Sequence, residues 1–194
     1  MKNKSLKEIL VPAIMLFVIA AVCTALLAGT NLLTKDKIAE IGVQTEMKAK
    51  SAVFESAKSF SDEKTVTVNE KEYVYYDALD EKGNVMGYVF SVTVKSYGGD
   101  LSAMVGISSE TDKITGVEIT AISDTPGLGM KVDSEDFLSQ YIDRSGNIGV
   151  NKNEKTDTEI QAVSGATISS KAVTEAVNQA FSAYDAVKAG GNNG

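Results

Sequence analysis

Most familiar side-chain chemistry is closed to this chain, because two of its usual carriers are missing or nearly so. Its 194 residues include no histidine and one cysteine, Cys23. That argues against His-based metal sites, Ser-His-Asp or Cys-His catalysis, internal disulfides and Cys-ligated iron–sulfur clusters. The remaining residues with suggestive spacing lie in three glycine-containing segments. The first is Ser164-Gly165-Ala166-Thr167-Ile168-Ser169-Ser170. Its small residues let the backbone approach a bound group closely, and its hydroxyls sit where the pattern turns helical. Free amides and the dipole of a helix start favour an anion such as a phosphoryl group. Serine and threonine are also the preferred caps of helices, and the segment lacks the lysine of a Walker loop. Spacing alone leaves both readings open.

The second segment is Asp124-Thr125-Pro126-Gly127-Leu128-Gly129. Proline fixes one turn position and the two glycines permit positive φ, so a tight loop with exposed amides results. A leucine at its tip, Leu128, is placed to cover a flat ring; periodicity alone reads the segment as an ordinary turn. The third segment, Tyr97-Gly98-Gly99-Asp100-Leu101, is a turn between strands.

The elements around these segments divide in two. Ile9 to Gly29 is 21 residues without a charge, about 31 Å as a helix, enough to cross a hydrocarbon core of about 30 Å. A retained membrane helix over 9–33 fits better than a cleaved signal, whose apolar core is shorter. Pro12 falls in the first turn of a helix starting at Ile9. Lys2, Lys4 and Lys7 precede the span and place 1–8 in the cytoplasm by the positive-inside rule. Residues after Leu33 hold 16 basic and 25 acidic side chains, a net charge of −9 within an overall −7. Such a chain suits neither nucleic acid nor anionic lipid.

Helical spacing from Thr34 to Phe60 predicts a stalk over 34–62. Period-two alternation follows, with strands at Thr65–Val68, Tyr73–Leu79, Tyr88–Lys95, Ala103–Ser108 and Val117–Ala121, and a short one at Thr158–Val163. Asp136–Tyr141 reads as a short helix and Ile168–Val187 as a long amphipathic one. Residues 63–188 are thus one α+β domain, an antiparallel sheet with flanking helices, and 189–194 a disordered tail.

SGATISS, DTPGLG and YGGDL, together behind one membrane anchor, resemble the FMN-binding domain family, and within it the G subunits of Rnf electron-transport complexes. The C subunits of sodium-pumping NADH:quinone reductases share the motifs and are the second likeness. The resemblance implies FMN joined by a phosphoester to Thr167, placed there by a flavin transferase that releases AMP from FAD. It implies that Ser164, Gly165, Ala166, Ser169 and Ser170 surround the attachment point. It implies too that Asp124, Thr125, Pro126, Gly127, Leu128 and Gly129, with Tyr97, Gly98 and Gly99, line the flavin. The function implied is electron transfer in an ion-translocating, ferredoxin:NAD-type complex of the bacterial cytoplasmic membrane, with the FMN domain outside. Other membrane subunits would be its partners, and it would not be catalytic alone. A membrane-anchored flavin sensor or a non-cycling structural subunit is the alternative. The chain departs from the family in having Gln161 where Asp is frequent, Asp124 where Glu is usual, and no histidine upstream of the loop.

Overall fold

The structure, a computed structural model, describes the backbone of residues 2–190. The expected tail at 191–194 and the side chains of Lys2, Lys4 and Lys7 lie outside the described residues. The chain divides into two units, Met1–Gln44 and Thr45–Gly194.

The first unit is helical, the greater part of α1 (Lys2–Val53). Within it Ile9–Lys35 is apolar and long enough to span a membrane, and its large side chains are exposed, Phe17 at 72% and Leu27 at 72%. The hydroxyls of Thr30 and Thr34 donate to the carbonyls of Leu26 and Thr30. These polar side chains are thus satisfied within the helix, as an apolar surrounding requires. Pro12 is not in a first turn, because the helix begins at Lys2. It is an interior proline, a placement tolerated in membrane helices.

In the second unit, strands β1 (Ser59–Phe60), β2 (Lys64–Val68), β3 (Lys71–Leu79), β4 (Val85–Lys95), β5 (Asp100–Ser108) and β6 (Ile114–Ile122) form one antiparallel sheet. Its order is β1-β3-β4-β5-β6, with β2 also paired to β3. One face carries Tyr75, Phe90, Val92, Leu101 and Val105 and is covered by α3 (Thr167–Lys188), which presents Val173, Ala176, Val177, Ala180 and Tyr184. The helix packs here because its small and branched residues recur along one stripe.

The other face explains where the stalk reading fails. Helix α1 ends at Val53, not Phe60, and Ser59–Phe60 pairs with β3 as a strand. Ala49, Val53 and Phe54 instead pack on Ala78, Val89 and Met104. Strand β4 is therefore buried on both sides over Val89–Phe90, where alternation predicted one buried side. Glycines make this approach possible. A Cβ on Gly116 would lie 2.7 Å from Val53 Cα, one on Gly106 2.4 Å from its carbonyl oxygen, and one on Gly87 2.5 Å from the Phe54 ring. The Thr115 hydroxyl donates to the same Val53 carbonyl at 2.5 Å, which ends the helix against β6.

Between β6 and α3 the chain forms a 3-10 turn (Gly129–Asp133), α2 (Glu135–Leu138) and a second 3-10 turn (Ser139–Tyr141). The expected Asp136–Tyr141 helix is thus two short pieces. Tyr141, fully buried, shares a 2.7 Å hydrogen bond with Thr174 of α3. Beyond it, β7 (Gly149–Asn151) and β8 (Glu159–Gln161) pair in parallel; β8 lies within the expected strand at Thr158–Val163, whereas β7 and the pairing were not signalled by the sequence pattern.

Candidate functional site

The β4–β5 turn, the loop after β6 and the start of α3 meet at one end of the sheet. They enclose a cavity of about 490 Å³ lined by Tyr97, Thr125, Leu128, Gly129, Gly165, Ala166, Thr167, Ile168 and Ser169. All three glycine-containing segments contribute to it. No lining side chain is a carboxylate, an amine or a guanidinium.

Helix α3 starts at Thr167, and its N-cap residue, Ala166, makes no side-chain cap bond. Of the two open readings of the segment, capping by Thr167 therefore does not hold. Its hydroxyl bonds no described residue and the side chain is half-buried on the cavity wall. The first amides of a helix have no partner within it, so they too are available here. Ser170 behaves differently. Completely buried, its hydroxyl accepts from the Val163 amide at 3.0 Å and donates to the Ala166 carbonyl at 2.9 Å. It holds the turn before the helix and is not part of the cavity lining.

Gly165 adopts φ +80, and a Cβ there would come within 3.0 Å of the Leu128 side chain. Glycine thus lets the loop after β6 close over the helix start. Gly127 also has positive φ, +75, in open space, and it turns the loop without lining the cavity. Pro126 and Ser164 are exposed beside it, and Gly98 and Gly99 sit behind Tyr97, outside the lining. A Cβ on Gly98 would meet the Ser123 carbonyl at 2.4 Å, so glycine brings the β4–β5 turn against the loop after β6.

Asp124 does not line the cavity. Only 4% exposed, its carboxylate accepts from Ser96 Oγ and from the Gly98 amide, each at 2.6 Å, and from the Ser169 hydroxyl. Burial works against its charge. The bonds from Ser169, Ser96 and Gly98 outweigh burial and hold the carboxyl below the ordinary aspartate range. Gly129 packs directly on it, where a Cβ would lie 2.6 Å from Asp124 Cβ.

Two participants were not among the named site residues, one of them inside the first segment. Ser96 precedes the third segment, and Ile168 lines the cavity while 56% exposed. The signal for Ile168 was present, an apolar residue off the buried stripe of α3.

A larger cavity, about 730 Å³, runs along β6 and is lined by Glu55, Glu118, Asp133, Glu135 and Asp143 with Lys113 as the one cation. Burial, and for Glu118 the charge of Asp133, raises the pKa of Glu118, and burial that of Asp133. Such a wall repels a phosphorylated ligand. The smaller, uncharged cavity is the better site for one. Its volume falls in the ligand-pocket range of about 300–1,000 Å³. With apolar Tyr97, Leu128 and Ile168 for a flat ring and a free hydroxyl at a helix start for a phosphoryl group, its residues fit FMN.

Comparison with known proteins agrees with that geometry. The FMN-binding domain family matches residues 96–182, which include every residue of the cavity lining. The RnfG N-terminal region family matches residues 1–52. The G subunit of the ion-translocating oxidoreductase complex of Methanosarcina acetivorans is 32% identical over 90% of this chain and 93% of its own length. The chain belongs to the RnfG family.

Another member, the G subunit of the Na⁺-translocating ferredoxin:NAD⁺ oxidoreductase complex of Acetobacterium woodii, is 32% identical over 88% of this chain and 89% of its own. Among solved structures, the C subunit of the Na⁺-translocating NADH-quinone reductase of Parabacteroides distasonis covers 60% of this chain and 62% of its own, with TM-score 0.51 and 21% identity. NqrC of Shewanella oneidensis covers 71% of this chain and 74% of its own, with TM-score 0.52 and 18% identity. At such identities the likeness is one of fold. This RnfG family member thus shares its α+β architecture with the two NADH-quinone reductase subunits, while its sequence likeness over most of the chain is to the G subunits.

Proposed function

We propose that this chain is the membrane-anchored electron carrier of an ion-translocating, ferredoxin:NAD-type oxidoreductase complex, with FMN held as a phosphoester on Thr167. The observation that carries the reading is the meeting of three separate segments around one uncharged cavity whose free hydroxyl, Thr167, stands on the first residue of a helix. Bound FMN supplies the redox chemistry, which the chain's own side chains cannot.

The chain's residues divide the remaining work. Thr167 Oγ1 would provide the attachment atom: it would lose its proton and bond to the FMN phosphorus of FAD as the pyrophosphate P–O bond breaks and AMP leaves with that proton, in a step run by a flavin transferase. The free amides of the first turn of α3 stabilise the remaining phosphoester charge by about 0.3–1 kcal/mol. Leu128 and Tyr97, the large apolar members of the lining with Ile168, would hold a flavin ring, while Thr125 and the loop amides would offer it hydrogen bonds. Ser169 lines the cavity and serves Asp124, and Ser170 braces the turn before the helix. The apolar helix over 9–33 anchors the protein among the other membrane subunits, with 1–8 in the cytoplasm and the FMN domain outside.

Co-production with a flavin transferase tests the attachment. The chain should fluoresce after denaturing electrophoresis, and Thr167→Ala should abolish the signal. Fluorescence persisting in Thr167→Ala would place the flavin on another residue.

A further inference from the structure

Asp124 is a buried carboxylate whose partners are all neutral: the Ser96 and Ser169 hydroxyls and the Gly98 amide. The other buried carboxylate among the described residues, Asp77, pairs with Lys64 at 2.6 Å. Neutral donors satisfy the lone pairs of Asp124 and leave its negative charge in place.

The donors come from different parts of the chain. Ser96 and Gly98 belong to the β4–β5 turn, Ser169 to the first turn of α3, and Asp124 itself to the loop after β6. One carboxylate therefore ties together the three segments that make the cavity. Its neighbours Thr125, Gly129 and Ser169 are lining residues, and its charge lies directly behind the wall.

We propose that Asp124 is a positioning residue with two effects: it clasps the three segments in place before any cofactor arrives, and its fixed charge lowers the redox potential of the group in the cavity. The inference rests on FMN occupying that cavity. Its physical basis is that adding an electron beside an unneutralised anion is disfavoured, and the more so where little water screens it. Asp124 thus acts through the wall, touching neither the flavin ring nor the attachment atom.

The test is a redox titration of the full-length, flavin-loaded chain in detergent. Asp124→Asn keeps the shape and removes the charge. It should move the midpoint potential positive and slow loading by the transferase several-fold. Asp124→Glu, which restores the charge, should return the potential toward the wild-type value. Ser96→Ala removes one donor and leaves the charge less shared, so it should hold the potential or move it negative. That variant keeps the question answerable should Asp124→Asn fail to fold. A loaded Asp124→Asn chain with the wild-type potential, or a positive shift in Ser96→Ala, overturns the proposal. A wild-type chain that never acquires flavin would defeat the attachment reading itself and this inference with it.

Discussion

Three hydroxyls within four residues have three different occupations. Thr167 bonds no described residue, Ser169 serves Asp124, and Ser170 bridges Val163 and Ala166. Substitution should separate them. Thr167→Ala should change unfolding free energy by less than about 0.5 kcal/mol, since no bond is lost, while eliminating covalent flavin. Ser170→Ala strips the Val163 amide of its acceptor in a buried turn and should cost about 1–3 kcal/mol by urea unfolding. The carboxylates titrate with opposite signs. Asp124 is held below its ordinary value of 3.8, so its contribution is present above that value and is lost as pH falls through the folded one. Glu118 is raised by burial and by Asp133, so its contribution is present at low pH and lost as pH rises past its raised value. Glu118→Gln should therefore raise the unfolding midpoint at pH 7 and leave it nearly unchanged in acid. Thr167 was singled out by its motif before any coordinates, and the structure puts its side chain on the cavity wall at the first residue of α3. Asp124 was named but misplaced, as a lining residue, because a carboxylate that faces inward and one that faces a ligand have the same local sequence.

Among the elements, the row of close approaches at Gly87, Gly106 and Gly116 decides how the end of α1 meets the sheet. Gly116→Val would press a branched side chain against Val53 and should destabilise the second unit by about 1–3 kcal/mol, measured by chemical unfolding. Gly127→Val fails for another reason. The site is open, but φ +75 is unfavourable for a branched residue, at about 1–3 kcal/mol. Its loop should relax, with altered flavin absorption and the phosphoester intact. The strands and α3 were visible beforehand because alternation and the 3.6-residue stripe are local properties. The end of α1 was not. Val53, Ala57 and Phe60 satisfy helical spacing, but what stops the helix is the distant Thr115 hydroxyl and a glycine floor contributed by three strands. Strand β8 was expected within Thr158–Val163, but β7 and its parallel pairing were not, since three residues carry too little alternation to register and pairing is not a local property.

For the molecule as a whole, the division at Gln44 and Thr45 separates an apolar helical unit from an acidic folded one. The apolar and acidic compositions of the two stretches were plain from the sequence. The proposed topology has a direct check. Glu110→Cys, in the exposed turn between β5 and β6, should react with a membrane-impermeant maleimide in intact cells. Labelling only after the cells are broken would reverse the orientation. The uncharged lining of the FMN-type cavity carries one more consequence. With no carboxylate, amine or guanidinium on its walls, and no imidazole anywhere in the chain, only hydroxyls are there to pass a proton, and none of them stores one near neutral pH. Hydrogen ions accompanying any redox change in the cavity would have to come from solvent at its mouth.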